Sequence, residues 1–477
     1  MLKSNLIKVF ERFVDLSIVF GSILVYGIVV FYMEHGYLPH ILDKLVETMY
    51  SIMSYSLYLI IVFILFRIYS PSIFERNFLS SMKSITLSLV LSNIVLMILT
   101  FFFGSQMLFN PVGVIGVILI QLAIFTIYKF FAHKYLSRLI QSSIMIIGSP
   151  EEANELAKEF FKDNDHNKFV SAIVYEQNGI LPIETLDIMK EVAEVFICPN
   201  LNDSNKQSIM LHAIAHLSKD VHIVPKTYEI SLINSKDESI DDTLLLHIPM
   251  MRLTPEQRFI KRTFDILVSG ILLILLSSIL LTAAILIKLE DKGPVFFKQT
   301  RYKRNNATFK VFKFRSMNVL QTPEQLNKRP SKDDNRITKI GKIIRAIRLD
   351  ELPQLINVLK GDMSLVGPRP LVLEEIDAAI KLIPEFYYRS NVKPGLTGLA
   401  QVKGKYDTKD EEKIRYDLLY VKKSNFWFDL KILILTIKVI FTKGSVTEEE
   451  LNQTLVQVLD QQGLKYTENK HYMRISK

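Results

Sequence analysis

The segment IRAIRLDELPQLINVLKGDMSLVGPRP, residues 344–370, surrounds a short apolar stretch with acidic and basic residues. Pro353 is favoured in the first turn of a helix and Gly361 just after its end, so the pattern predicts a helix between them. Asp350 and Glu351 would then lie at the amino terminus of this helix, where the dipole and free N–H groups stabilise anions. The residues expected on its apolar face are Leu352, Leu355, Ile356 and Leu359.

The two adjacent carboxylates stand among arginines: Arg345 and Arg348 precede them, and Arg369 follows in the GPRP turn. Mg²⁺ binds through one or two carboxylates together with substrate phosphates, and the arginine fork grips phosphate oxygens at two points. A carboxylate can also attack phosphorus and form an aspartyl-phosphate. The pattern therefore indicates a site for a metal-bound diphosphate, although acidic residues in a first turn also occur for purely structural reasons.

A long apolar segment, residues 264–289, precedes this stretch and could cross ~30 Å of hydrocarbon as a straight helix. Basic residues flank it on both sides, and positively charged flanks stay in the cytoplasm. We therefore expect a re-entrant helix whose two ends lie on the cytoplasmic side. Ser277 and Ser278, near its middle, can bond back to carbonyl groups and bend the helix.

Further apolar runs near the start of the chain each have about the 20 residues that a spanning helix needs. Basic clusters precede the first run, separate the second from the third and follow the fourth. The positive-inside rule then places the amino terminus and everything after residue 132 in the cytoplasm. We predict a membrane α-helical bundle over residues 1–135, whose four runs are 14–33, 46–69, 84–104 and 111–131.

Residues 142–250 alternate strand-like and helix-like stretches, which predicts a cytoplasmic Rossmann-like α/β domain with a parallel sheet. Its first turn has only Gly148 where a dinucleotide-binding fold has G-x-G-x-x-G, so we expect no dinucleotide to bind. Cys198, the single cysteine, is expected to be a small buried residue on a strand. A single cysteine also excludes an internal disulfide and any site built from several cysteines.

The chain has 477 residues, a formal net charge of +9 and 49% hydrophobic residues. A basic balance suits nucleic acid, an anionic membrane surface or phosphorylated substrates. The apolar runs favour the last two, so no nucleic acid partner is expected.

Several long motifs occur in one order between residues 259 and 440: FIKRTFDILVSG, IKLEDKGPVFFKQTR, FKVFKFRSMN, DDNRITKIGKIIRAIRLDELPQLINVLKGDMSLVGPRP and VKPGLTGLAQVKGK. Together they closely resemble the bacterial sugar transferases, the monotopic phosphoglycosyl transferases. The layout of the whole chain resembles the long subfamily that includes undecaprenyl-phosphate galactose or glucose phosphotransferases, which begin exopolysaccharide or capsule repeat units. The resemblance implies a mainly helical, membrane-associated catalytic domain at 257–446, followed by a tail at 447–477.

The resemblance implies that Asp350 is the nucleophile and that Glu351 holds a metal or acts as its acid–base partner. Asp350 would attack the β-phosphorus of a UDP-hexose, release UMP and pass the sugar phosphate to undecaprenyl phosphate at a bacterial cytoplasmic membrane. Mg²⁺ on Asp350 and Glu351 and nearby arginines would neutralise the phosphates. The candidates for substrate contacts are Arg315, Arg345, Arg369, Asp334, Arg336, Pro394, Gly395, Thr397 and Gly398.

The sequence departs from the family pattern at two positions. Family members usually carry Ser-Pro in the middle of the membrane segment, where this chain has Ser277 and Ser278. Many also have a glycine where Lys303 stands, two residues after the arginine of KQ-x-R. The first departure leaves the shape of the membrane segment open.

Two other classes of protein compete with this interpretation. A membrane-anchored nucleotide-sugar dehydratase would need G-x-x-G-x-x-G and a Tyr-x-x-x-Lys pair in an αβ context, and the G-x-x-G at Gly113 to Gly116 lies inside the fourth apolar run. A non-catalytic scaffold for polysaccharide assembly would tolerate loss of the two acids, which this chain retains. The sequence leaves open the sugar, the role of residues 142–250 and whether the chain forms a homo-oligomer.

Overall fold

The computed structural model describes residues 111–136, 142–162, 168–318, 336–404, 408–442 and 453–476, and short stretches between residues 10 and 25 and between 82 and 94. The chain divides into two compact units. The first comprises Met1–Val224 and Lys438–Lys477, and the second is Pro225–Ile437.

The described residues between 10 and 25 and between 82 and 94 are helical, and α1 spans Pro111–Leu136. Of the four predicted spans, the fourth lies within α1, the first and third are described in part, and 46–69 lies outside the described residues. Lys129 of α1 is buried and pairs with Glu11 at 2.7 Å and with Asp15 at 2.9 Å. Among the described residues, no single helix is long and apolar enough to cross a membrane.

The first unit contains a six-stranded sheet in the order β11 (Lys465–Glu468), β12 (Tyr472–Ser476), β2 (Lys168–Tyr175), β1 (Ser142–Gly148), β3 (Glu194–Ile197) and β4 (Asp220–Ile223). Strands β1 to β4 are parallel, and β12 and β11 extend the sheet antiparallel beyond β2. The elements of the first half are β1 Ser142–Gly148, α2 Pro150–Lys162, β2 Lys168–Tyr175, α3 Thr185–Glu191, β3 Glu194–Ile197, α4 Asp203–Leu211 and β4 Asp220–Ile223. A π-helical turn, His212–His216, continues α4.

The core of this domain follows the two-residue period of a strand. Ile144 and Ile146 of β1 pack on the face that carries α2, whereas Met145 and Ile147 pack on the face that carries α3 and α4. Cys198 is buried against Gly148 at the end of β1, which confirms its predicted burial, but it directly follows β3 and does not lie on a strand as expected.

The α/β domain has different limits from those expected at the sequence level. Its last parallel strand ends at Ile223, and residues 225–250 belong to the second unit. The tail, assigned no fold from the sequence, forms α14 Leu455–Gln461, β11 Lys465–Glu468 and β12 Tyr472–Ser476, which belong to the first unit. Short strands formed by residues distant in sequence carry no local signal of their partner, which is why the periodicity of 142–250 could not reveal them.

In its described residues, the second unit is mainly helical and contains three two-stranded sheets. Its elements up to the second hairpin are α5 Thr227–Ser231, β5 Lys236–Ile240, β6 Thr243–His247, α6 Pro255–Leu275, α7 Ser277–Asp291, β7 Phe296–Tyr302 and β8 Thr308–Phe314. The later ones are α8 Lys339–Ala346, α9 Gln354–Lys360, β9 Ser364–Val366, α10 Leu373–Leu382, β10 Gly395–Thr397, α11 Leu399–Lys403, α12 Asp410–Lys423 and α13 Phe426–Thr442. Pro384–Asn391 forms a 3₁₀ helix between α10 and β10.

The apolar segment that was expected to re-enter the membrane forms α6 and α7, which meet at Leu276 with a bend of 63°. The hydroxyl of Ser277 donates to the carbonyl of Ile274 at 2.7 Å, and Leu276 has φ −92° and ψ 1°. A bend therefore forms here without a proline, since the serine hydroxyl donates a hydrogen bond to a carbonyl group of the preceding turn. Together the two helices have the length and apolar composition of a broken span or a re-entrant loop. Their position in a membrane remains a prediction.

Candidate active site

Asp350 and Glu351 lie in a 3₁₀ turn, Leu349–Glu351, that connects α8 to α9. Arg348 starts the turn in the left-handed region, with φ 56°. Pro353 directly precedes α9, and Gly361 ends it with φ 88°, a conformation that favours glycine. The two acids thus stand just before the amino end of a seven-residue helix.

The buried face of α9 differs in part from the expected one. Leu355 is fully buried, but Ile356 and Leu359 are only partly buried, and Asn357 and Val358 take the inner positions. Asn357 lies inside because its amide bonds to two backbone groups of β8, accepting from Phe312 N at 2.9 Å and donating to Lys310 O at 2.8 Å. A polar side chain that satisfies a strand in this way is compatible with the core.

Glu351 binds two cations through one carboxylate oxygen. Arg369 Nη2 donates to Glu351 Oε1 at 2.7 Å, and Lys313 Nζ donates to the same oxygen at 3.0 Å. Burial disfavours the charge of Glu351, but Arg369 and Lys313 more than offset this and hold its pKa well below its usual range. Glu351 is therefore ionised throughout the neutral range.

The carboxylate of Asp350 is in a different situation. Within the described part of the chain, no side chain forms a hydrogen bond or an ion pair with it, and its own backbone N–H supplies a hydrogen bond. Burial and the charge of Glu351 raise the pKa of Asp350, while Lys313 and Arg345 act in the opposite direction. The carboxylate of Asp350 is thus partly shielded from water, is not held by another side chain and has cations nearby. These are the properties that an oxygen nucleophile requires.

The backbone of Arg369 is fixed by a buried ion pair. Arg389 Nη2 donates to the carbonyl of Arg369 at 2.8 Å, and the same guanidinium contacts Asp417 at 2.8 and 2.9 Å. Arg389 also stacks over Phe386, with 4.8 Å between the guanidinium carbon and the ring centroid. Only 7% of Arg389 and 3% of Asp417 are exposed, so this pair positions the GPRP segment from inside the unit.

A second buried cluster fixes Val366, the residue before that segment. Lys261 of α6 donates to Val366 O at 3.0 Å and also pairs with Asp429. The hydroxyl of Tyr420 lies 3.0 Å from the same carbonyl and 2.8 Å from Asp429. The amino-terminal part of α6 therefore holds the loop that carries Arg369.

Four of the sequence candidates pack against the GPRP segment from β10 and its flanks: Pro394, Gly395, Thr397 and Gly398. β10 pairs in parallel with β9, and Gly395 N donates to Pro368 O at 2.9 Å. A Cβ atom at either glycine would collide with the backbone of Gly367, so only glycine permits this approach. Thr397 bonds through its hydroxyl to Thr436 at 2.8 Å. The structure thus places these residues where they support the GPRP segment.

The remaining candidates lie in different surroundings. Arg345, in the last turn of α8, contributes to the electrostatic environment of Asp350. Arg315 is buried beside α7, with Nη2 3.5 Å from Ile287 O. The carbonyl of Arg336 accepts from Asn318 N at 2.9 Å, and Asp334 lies outside the described residues.

Sequence reasoning did not single out Lys313, Arg389, Asp417 or Lys261 as contributors to this site. Lys313 and Lys261 stand inside the motifs KFRSM and FIKRTFDILVSG, where a lysine among apolar residues was an available signal. The pair of Arg389 with Asp417 joins residues 28 positions apart, and no spacing rule reveals such a contact.

No group of three or more His, Cys, Asp or Glu side chains that could hold a metal occurs in the described residues. Asp350 and the second oxygen of Glu351 nevertheless fit Mg²⁺, which needs only one or two carboxylates when substrate phosphates and water complete its coordination. Both cations on Glu351 bind Oε1, so Oε2 remains available to such an ion.

The site thus consists of two adjacent acids. Asp350 has no side-chain partner among the described residues, and Glu351 is held by Lys313 and Arg369. The amino-terminal part of the bent apolar helix pair holds the loop that carries Arg369. A family profile described as bacterial sugar transferase matches residues 256–443. The exopolysaccharide production protein PSS of Rhizobium leguminosarum is 41% identical over 193 residues, which cover 39% of this chain and 96% of that protein. The chain belongs to the bacterial sugar transferase family, and the resemblance noted from the motifs is confirmed.

Two further relatives carry names that specify a reaction. A UDP-glucose:undecaprenyl-phosphate glucose-1-phosphate transferase of Klebsiella pneumoniae is 38% identical over 52% of this chain and 54% of its own length. A UDP-N-acetylgalactosamine-undecaprenyl-phosphate N-acetylgalactosaminephosphotransferase of Aeromonas hydrophila is 46% identical over 40% of this chain and 45% of its own length. The chain thus spans about half the length of these two relatives.

Proposed function

We propose that this protein transfers a hexose-1-phosphate from a UDP-sugar to undecaprenyl phosphate and releases UMP, for exopolysaccharide or capsule synthesis. The observation that carries the proposal is the difference between two adjacent acids: Glu351 is held by Arg369 and Lys313, and the carboxylate of Asp350 is uncommitted. The family and the named relatives support the substrate classes.

In the first step, an oxygen of Asp350 attacks the β-phosphorus of the UDP-sugar. The bond from that phosphorus to the oxygen bridging the α- and β-phosphates breaks, and UMP leaves with that oxygen. In the second step, a phosphate oxygen of undecaprenyl phosphate attacks the same phosphorus. The Asp350 oxygen leaves as a carboxylate, and the product is undecaprenyl diphosphate hexose.

The cations beside Glu351 have a defined part in both steps. Phosphoryl transfer depends mainly on positioning and on neutralising charge around phosphorus. Arg369 and Lys313 are held in place by Glu351, so their charges stand beside Asp350 before the substrate arrives. Mg²⁺ held by Asp350 and Glu351 would supply further charge neutralisation on the diphosphate.

The membrane arrangement forms part of the same proposal. The acceptor is a lipid, so the site must lie at a membrane surface, and UDP-sugars belong to the cytosol. We propose that the α6–α7 hairpin enters the bilayer from the cytoplasmic side, in a protein whose amino-terminal helices span that membrane. The apolar composition of α6 and α7, their bend of 63° and their basic flanks support this arrangement.

The decisive experiment mixes the purified protein with undecaprenyl phosphate and a panel of UDP-sugars and measures UMP. The panel should include glucose, galactose and N-acetylated amino sugars, because the named relatives differ in the sugar that they transfer. UMP release that requires Asp350, with one preferred sugar, is the expected result. NAD-dependent turnover without UMP would favour a dehydratase, and no turnover with any sugar would favour a scaffold.

A further inference from the structure

A group of basic side chains surrounds the carboxyl end of α9, at the opposite end of this helix from Asp350. Arg262 donates from Nη1 and Nη2 to the carbonyls of Val358 and Leu359, both at 2.6 Å. A Cβ atom at Gly361 would lie 3.4 Å from Arg262 Nη2 and 3.6 Å from Lys393 Nζ. Seven helical residues separate this group from the two acids by roughly 10 Å along the helix axis.

The two carboxylates in this region are already engaged. Asp362 pairs with Lys303, with Nζ to Oδ1 at 2.7 Å. Asp265 accepts from the hydroxyl of Ser364 at 3.1 Å and from the N–H of Leu365 at 3.0 Å. Neither acid therefore forms an ion pair with Lys393.

Lys393 is left without a hydrogen-bonding or ion-pairing partner among the described residues. Burial lowers the pKa of Lys393, and the charges of Arg262 and Arg304 lower it further. Asp265 and Asp362 act in the opposite direction but do not offset this effect. Arg304 adds a second indication, because its Nε is buried and has no hydrogen-bonding partner in the described part of the protein. A buried donor without a partner, such as Arg304 Nε, is costly in a folded protein and frequently marks a ligand, whereas Lys393 is only partly buried.

We propose that Lys393, Arg304 and Arg262 form a binding site for a phosphate group, separate from Asp350 and Glu351. A phosphate offers several oxygens to the unmet donors and reduces the repulsion between three cations. The negative end of the α9 dipole opposes an anion here, but the two bonds from Arg262 already satisfy the last carbonyls and place a positive charge on them.

Lys303 determines whether this site is available. It holds Asp362, one of the two acids whose charge acts on Lys393. A chain without a basic side chain at position 303 would leave Asp362 to pair with Lys393. The site is thus a property of this sequence, and it does not depend on the proposed transferase activity.

The test measures acetylation of Lys393 by an amine-reactive ester in the full-length protein, followed by mass spectrometry. Inorganic pyrophosphate is the first probe, and sodium chloride at equal ionic strength is the screening control. At about ten times its dissociation constant, a bound probe should slow the reaction about tenfold by mass action. Lys310, an exposed residue of β8, provides an internal reference that should not change.

Further arms identify the source of the phosphate group. Phosphatidylcholine vesicles containing either phosphatidylglycerol or a short-chain polyprenyl phosphate distinguish a membrane headgroup from the lipid acceptor, and UDP tests the nucleotide. Protection of Lys393 in any arm supports the site and names its ligand. No protection in any arm, or a Lys393 that resists acetylation without a probe, would overturn it.

Two variants separate binding from general electrostatics. Arg304→Gln should weaken protection of Lys393, because it removes the second unmet donor. Lys303→Gly should weaken it as well, because Asp362 becomes free to neutralise Lys393. Lys310→Gln changes the net charge by the same amount as either variant and should leave protection intact. Equal protection in all three variants would contradict the assigned residues. Since no turnover is measured, failure of this site and failure of the transferase activity are distinguishable.

Discussion

Arg369 Nη2 donates a hydrogen bond of 2.7 Å to Glu351 Oε1, and this contact links the GPRP segment to the turn that carries both acids. Lys313 binds the same oxygen from β8. Three separate segments thus meet at one carboxylate, while Asp350 beside it has no side-chain partner among the described residues. This asymmetry leads to opposite predictions for the two acids.

Asp350→Asn should lower the rate of UMP release at least about 10³-fold, because an amide does not attack phosphorus as a carboxylate does. It should also raise the free energy of unfolding at pH 7. The folded pKa of Asp350 is raised, so ionising it costs stability once the pH exceeds the folded pKa. The gain should disappear at low pH, where aspartate is protonated in both states. Thermal unfolding across pH tests this, and a destabilised variant at pH 7 would contradict it.

Glu351→Gln should also be inactive, but should destabilise the protein by about 3 kcal/mol, because it leaves Lys313 and Arg369 without their acid. The pKa of Glu351 is lowered, so its contribution is present above the unfolded value and is lost only as pH falls through the lower folded value. The difference from wild type should therefore persist at pH 5. Glu374→Gln, at an exposed position on α10, is the matched control and should change stability little.

Arg389→Lys should lower kcat by about 10²-fold with little change in KM for the UDP-sugar. Lysine keeps the charge but lacks the Nε donor to Asp417 and the planar fork that directs Nη2 at the carbonyl of Arg369, so Arg369 should shift relative to Glu351. Steady-state kinetics with Arg258→Lys as control measure the effect. Unchanged kcat in a folded Arg389→Lys variant would show that the pair does not position the site.

Both ends of the α6–α7 hairpin should lie in the cytoplasm. In a Cys198→Ser background, single cysteines at Arg258 and Thr300, both exposed, should resist a membrane-impermeant maleimide in intact cells. Both should react once the cells are opened. Labelling of position 300 alone in intact cells would show a complete crossing and would place Asp350 outside the cytoplasm.

Deletion of residues 453–477 should unfold the α/β domain. The deleted elements bury Leu455, Val458, Leu459, Met473 and Ile475. At about 1.5–3 kcal/mol for each buried side chain, their loss is comparable to the whole stability of a typical domain. Hydrogen exchange in β2, which pairs with β12, should become fast, whereas Lys465→Ala, at an exposed position, should have no effect. Slow exchange in β2 of the truncated protein would contradict this prediction.

Local pattern alone determined the parallel strands β1 to β4, the limits of α9 at Pro353 and Gly361, and the placement of two acids before that helix. These features depend on residues that are close in sequence, and turn chemistry and periodicity report such features directly. The serine pair also indicated where the long apolar segment bends, because a hydroxyl bonds to a carbonyl within the preceding turn.

Only the tertiary structure decided which charges act on those acids. Lys313, Arg369 and Arg389 come from different elements, and the tail completes a sheet that begins some 300 residues earlier. The sequence shows that charged residues are present, but their pKa values and ion pairs depend on burial and on distances of a few ångströms. Two adjacent acidic residues therefore become a glutamate held by two cations and an aspartate without a side-chain partner only when the chain has folded around them.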